Sequence, residues 1–237
     1  MTGGAAVASG TSVGGSADVA VITNRTAGSI GDSAAVAARK DVSVEAHNDT
    51  VTTAIAAAGA ASKQKQAIAG SVNADVLTNT VTASIGKKAG VDAGGGVMVK
   101  ADSQNRMNTV AGGAAIAKDT GVGAAVNAGV TKDVTKAYID ADAVVDAAQG
   151  VAIVAEHTNT ALNIAAGMGI SSTGSAGAGS LALDIGIADT EAWIGSGAKV
   201  NKTDEKQKNA AEDQSVSVKA TDTTTRTAIG ATLAAGD

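Results

Sequence analysis

The chain of 237 residues contains no Cys, no Pro and no Phe, and its only aromatics of the Phe, Tyr and Trp class are Tyr138 and Trp193. Without Cys, a disulfide framework and a thiolate metal site are both excluded. Cys-free composition also suits a chain exported through an oxidising space. With almost no large rings, a globular core of ordinary construction has nothing to fill its volume. The apolar fraction of 44% rests instead on Ala, Val, Ile and Leu, which reach normal packing density only where backbones approach closely. The absence of Pro fits a backbone whose N–H groups are wanted in ladders nearly everywhere. Net charge is -5 and the pI is near 5.0. There is thus no basic footprint for nucleic acid, which is not expected as a partner. Met1-Thr2-Gly3-Gly4 is not a basic region leading into an apolar stretch, so no signal peptide is expected.

What the chain does have is a long period. Ile30, Ile85, Ile139 and Ile194 each close a similar block: Gly28-Ser29-Ile30, Ala83-Ser84-Ile85, Ala137-Tyr138-Ile139 and Ala192-Trp193-Ile194. The steps are 55, 54 and 55 residues. A second block, Val-x-(Val/Ile)-x-Ala, begins at Val42, Val97, Val151 and Val216, with steps of 55, 54 and 65. Within each copy apolar residues recur at every second position, the strand period. In the second copy they fall at Ile68, Gly70, Val72, Ala74 and Val76, then at Val81, Ala83 and Ile85. Asn79-Thr80, Gly94 to Gly96 and Asp102 to Asn105 read as turns. A long period built from strands marks a stacked repeat protein.

The predicted organisation is a single elongated all-β domain over 1–237, cut from a longer chain, with repeats at 14–67, 68–121, 122–176 and 177–237. Each repeat divides into two or three coils of roughly 18 to 27 residues. Stacking them at about 4.8 Å predicts a rod roughly 40 to 65 Å long. An insertion over 201–214 accounts for the step of 65. Helix competes at 60–69 and 202–214, which hold good helix formers. An antiparallel sandwich or barrel remains the alternative, since strand order is not legible in one sequence. Residues 158–183 carry no charge and are long enough for a membrane helix. Their alternating Leu162, Ile164, Ala166, Met168 and Ile170, followed by Leu181, Leu183, Ile185 and Ile187, predict two buried strands around a Gly/Ser corner instead.

Chemistry-bearing residues are sparse. His47 and His157 sit two repeats apart and read as solvated turn residues. Asp75 and Asp184 occupy equivalent positions with Gly129 between them, which predicts solvated strand carboxylates rather than a catalytic pair. No phosphate loop or nonapeptide calcium repeat occurs. No catalytic, cofactor-binding or metal residue is therefore assigned, and no enzymatic activity is expected. Three Asn-x-Thr sequons begin at Asn24, Asn48 and Asn201; in so Asn- and Thr-rich a chain they carry little weight. The residue before the marker Ile points opposite to it by strand alternation and reads Ser29, Ser84, Tyr138, Trp193. Tyr138 and Trp193 are thus the candidate contact for a glycan or protein, or else pack over Lys136 and Glu191.

The cadence of stretches such as GAAVNAGVTKDVTKAYIDADAVVDAAQGVAIVAEHTN resembles the repeats of very large bacterial filamentous adhesins. It is most similar to the leukotoxin-type filamentous adhesins of Gram-negative anaerobes and more distantly to filamentous haemagglutinin. The resemblance covers nearly the whole chain and rests on pattern and composition. It implies a right-handed parallel β-solenoid, secreted by a type V or two-partner route through an outer-membrane transporter and displayed on the cell surface. It further implies a role in virulence by adhesion, with a host-cell protein or glycan as partner. The function expected is that of a shaft or display segment. The alternatives are a ligand-binding module or a segment of a leukotoxin-like toxin acting through the uncharged 158–183 stretch.

Overall fold

The computed structural model describes residues 1–202 and 214–237. The insertion and competing helix placed at 201–214 therefore fall almost wholly outside the described residues. The described residues form thirteen strands and no helix, arranged in three parallel sheets. The front sheet stacks β1 (Thr2–Ala8), β4 (Val42–Ser62), β7 (Val97–Ala117), β10 (Val151–Ser171) and β13 (Val216–Ala235). The back sheet stacks β2 (Ser12–Ile30), β5 (Gln66–Ile85), β8 (Thr120–Ile139) and β11 (Ser175–Ile194). A corner sheet of β3 (Ala35–Ala38), β6 (Gly90–Ala93), β9 (Val144–Ala147) and β12 (Lys199–Val200) joins them at one end.

Every strand pairs with the strand one period away. Ile30 pairs with Ile85, Ile85 with Ile139 and Ile139 with Ile194. Val42, Val97, Val151 and Val216 likewise form one unbroken column, so the 65-residue step leaves the register intact. All pairings are parallel, which removes the antiparallel sandwich or barrel.

Two expectations are corrected by strand length. β5, β8 and β11 are 20 residues each, and β4, β7 and β10 are 21. They run straight through Asn79-Thr80 and through Asp102 to Asn105, where turns were expected. One passage through back, corner and front sheets thus consumes a whole period, rather than a third or a half of it. The result is a blade about 65 Å broad, at roughly 3.3 Å per residue, and only about 20 Å tall in the stacking direction. It is not the narrow rod predicted. The competing helix at 60–69 is also absent: β4 ends at Ser62 and β5 starts at Gln66.

The two ends of the blade are built differently. At the corner end three sheets enclose a triangular core of Val81, Ala83, Ile85, Val91, Val97, Val99 and their counterparts one period on. The chain enters this corner through a repeated left-handed residue, Ser33, Lys88, Asp142 and Gly197 in successive passages, with φ of 56, 58, 59 and 74°. At the opposite end, the tip, front and back sheets lie directly on each other with Ala and Gly between them. A Cβ on Gly14 would strike the Gly59 carbonyl, and one on Gly123 the Met168 carbonyl. Sheets this close leave little inward room for branched side chains. The inward parity is the same along the whole of β5, but the larger apolar residues pass to the outward parity toward the tip. Val81 and Ile85 point inward, whereas Ile68, Val72 and Val76 of the same strand point out. Residues 158–183 follow the same rule. The two strands and the Gly/Ser corner expected there are present, but Leu162, Ile164, Ala166, Met168 and Ile170 lie on the outward parity. Leu181, Leu183, Ile185 and Ile187 are exposed.

Candidate functional site

Two constellations stand out, one outside and one inside the blade. On the outer face of the back sheet, near the corner, Ser29, Ser84, Tyr138 and Trp193 form one column of direct partners. A ladder of identical backbone position holds the two rings parallel. Their centroids are 4.3 Å apart and their planes 7° from coplanar. Lys136 lies on the same face one outward position before Tyr138, with its ammonium 5.9 Å from the Trp193 ring centroid. That ammonium also reaches Asp189 at 3.1 Å and Glu191 at 3.0 Å. Hydrogen bonding to Glu191 and Asp189 raises the Lys136 pKa, against a smaller opposing effect of burial. The aromatics lie on the outward parity, and Trp193 packs with Lys136. Both aromatic residues are half-buried.

Inside the blade, between the apolar corner and the Ala/Gly tip, runs a polar spine. Asn24, Asn79 and Asp133 are direct partners in the back sheet. Opposite them stand Thr50, Asn105 and Asn159 in the front sheet. Asn24 Nδ2 donates to Asn79 Oδ1 (2.9 Å) and to Thr50 Oγ1 (3.1 Å). Asn79 Nδ2 donates onward to Asn105 Oδ1 (2.8 Å) and Asp133 Oδ1 (3.0 Å). Asp133 Oδ1 also accepts from Asn105 Nδ2 (2.6 Å), and its Oδ2 accepts from Asn159 Nδ2 (3.1 Å). A carboxylate taking three amide donors in a dry interior is held by charge-assisted bonds. Stacked Asn side chains satisfy each other from one level to the next, as in other cross-β ladders. A second ladder, Asn73 to Asn127 (3.1 Å), continues toward the tip.

His157 closes the spine. It is fully buried, with Nε2 3.2 Å from Asp133 Oδ2 and Nδ1 2.7 Å from Asp222 Oδ1. Asp222 is 42% exposed, so the imidazole links an interior carboxylate to one in contact with water. Burial pulls the His157 pKa down, but the bonds and charges of Asp133 and Asp222 outweigh it and the net shift is upward. Beside this group Arg226 Nη1 donates to Asp184 Oδ1 at 2.8 Å.

Three expectations change here. His157 is an interior ion-pair residue rather than a solvated turn residue, because its strand position falls on the inward parity. His47 is exposed, though on a strand, and sits 3.3 Å from Asp102. Asp75 and Asp184 do align through Gly129 as expected, yet both are buried rather than solvated. Burial, partly offset by Asn73, pushes the Asp75 carboxyl above its usual range. Sequence reasoning missed the spine, although a signal was available: Asn24, Asn79 and Asp133, like Asn105 and Asn159, recur one period apart. Among the described residues, no group of three or more His, Asp or Glu could hold a metal ion. None of their helices is long and apolar enough to cross a membrane, a statement that does not bear on strand-built spans. Comparison with known proteins finds no matching family model, curated protein or solved structure.

Proposed function

We propose that this chain is a shaft segment of a secreted bacterial filamentous adhesin. It is a right-handed parallel β-solenoid of four repeats of about 55 residues. Carried across the outer membrane by a dedicated transporter, it serves at the cell surface as reach and display for attachment to a host cell or other surface. The observation that supports this reading is the unshifted register. Every column steps by one period, and buried Asn side chains tie one level to the next at Asn24–Asn79, Asn79–Asp133 and Asn73–Asn127. At the two ends of the stack β1, β2 and β3, and β11, β12 and β13, each pair with only one neighbour among the described residues. Such open ends suit further coils of the same kind. A stack of this type needs no catalytic group to fulfil its role, and stiffness comes from the backbone ladders themselves.

The test is localisation with function. An antibody against this chain should label intact cells of the organism that makes it, and deletion of the segment should reduce attachment of those cells. Labelling that requires cell lysis would overturn the proposal. The Tyr138–Trp193 stack favours a second reading, in which this segment itself binds a glycan or protein. Replacing both rings with Ala would then abolish binding while leaving the fold intact.

A further inference from the structure

We infer that the outer face of the back sheet, over its tip half, is a self-association surface that takes a second copy of this chain. Outward positions of residues 13–21, 68–76, 122–130 and 177–185 are all Gly, Ala, Val, Leu or Ile. Val21, Val72, Val126 and Leu181 are 72, 45, 37 and 56% exposed. Toward the corner the band ends at Thr23, Thr78 and Lys132 on three strands and continues through Ile187 on the fourth; toward the tip it ends at Gln66, Thr120 and Ser175. A continuous apolar face with a polar rim marks an interaction site, at the upper end of the patches that monomers leave bare.

Its size and relief select the occupant. Nine residues along each strand and four strands across give about 600 Å² in projection, hence about 1,200 Å² for two such faces, the lower bound of a stable interface. Column by column the relief alternates. Gly15, Gly70, Ala124 and Gly179 form a furrow, and the neighbouring column with Val72, Val126 and Leu181 forms a ridge. Turned over by a two-fold axis, the ridge of one copy enters the furrow of the other, as an isologous contact requires. A bilayer fits less well. The open stack ends carry backbone groups that hydrocarbon cannot satisfy. The rim also lacks an aromatic girdle, since Tyr138 and Trp193 lie several outward positions further on.

Sedimentation of the whole chain should show a dimer at up to about 100 μM, a concentration within reach for an interface of this size. Val126→Lys should weaken it by at least about tenfold with an unchanged far-UV spectrum. Because the chain has no Cys, Val126→Cys should give a disulfide-linked dimer on mild oxidation, while Thr160→Cys, on the outer face of the front sheet, should not. A monomeric wild type throughout that range would overturn the inference. So would a Val126→Lys variant that dimerises as before. Co-flotation of the wild type with phosphatidylcholine vesicles in place of self-association would assign the face to lipid and overturn it equally.

Discussion

Asp133→Asn is the substitution that probes the interior most sharply. In the wild type Oδ1 serves the amides of Asn79 and Asn105, while Oδ2 faces the amide of Asn159 and His157 Nε2 at 3.1 and 3.2 Å. A carboxamide keeps one oxygen for the first pair and turns an NH2 group toward the second. When His157 is protonated, both groups on that side are donors. The variant then loses a charged contact, about 1.5–3 kcal/mol, and one amide bond of about 1 kcal/mol, so about 2.5–4 kcal/mol in all. When His157 is neutral, Nδ1–H can donate to Asp222, leaving Nε2 as an acceptor for the new NH2, and the loss shrinks to about 1 kcal/mol. The direction of the pH dependence follows from linkage. The His157 pKa is raised in the fold, so its stabilisation is fully present below the unfolded value near 6.5. It is lost as pH rises through the folded value. Urea midpoints followed by far-UV circular dichroism over a series from about pH 5.5 upward follow the titration. The deficit of the variant should be larger at the acidic end and should contract on the alkaline side. A deficit independent of pH, or one that grows with pH, would refute the assignment of His157 as the buried cation of the spine.

Asp75→Asn should act in the opposite sense. The carboxyl is held above its ordinary range mainly by burial, so the stabilisation linked to it is full below about 3.8 and gone once pH passes the folded value. At neutral pH the uncharged amide removes that cost, and the urea midpoint should rise by the equivalent of about 1–2 kcal/mol. An unchanged or lowered midpoint would contradict it. Gly123→Ala places a Cβ against the Met168 carbonyl and should cost about 1–3 kcal/mol. Gly112→Ala, on the outer parity of the front sheet, has open space within 4 Å of its Cβ and should be neutral or slightly stabilising in a thermal melt. Tyr138→Ala removes the ring stacked on Trp193 and should cost about 0.5–1.5 kcal/mol beyond lost area. It should shift the emission of this only Trp to the red, and an unmoved spectrum would mean the stack does not persist in solution.

How much of this was legible in the residues alone differs from place to place along the strands. The columns Ile30–Ile85–Ile139–Ile194 and Val42–Val97–Val151–Val216 were readable by subtraction, because a parallel stack places each residue over its equivalent one period away. The outward pairing of Tyr138 with Trp193 followed from the same arithmetic. Which parity is the inside was not readable. Ile68, Val72 and Val76 alternate as cleanly as Val81 and Ile85, and alternation is blind to a change of side. His157 and Asp75 were misplaced for the same reason: polar residues in alternation were read as wet.

That strands one period apart lie in register is written in the residues, since a recurring pattern of small apolar residues and turns has only one alignment that superposes its copies. How far apart the two broad sheets sit emerges only once the chain is folded. At the corner a third sheet props them open, so branched side chains go inward and make a dry core. Toward the tip nothing props them, the backbones close to contact, and inward positions narrow from Leu77, Met107 and hydrogen-bonded Asn beside the spine to Ser, Ala and Gly at the far end. The larger apolar side chains are then forced onto the surface. Sheet separation is a property of three strands folded around one corner, and no stretch of the chain read alone contains it.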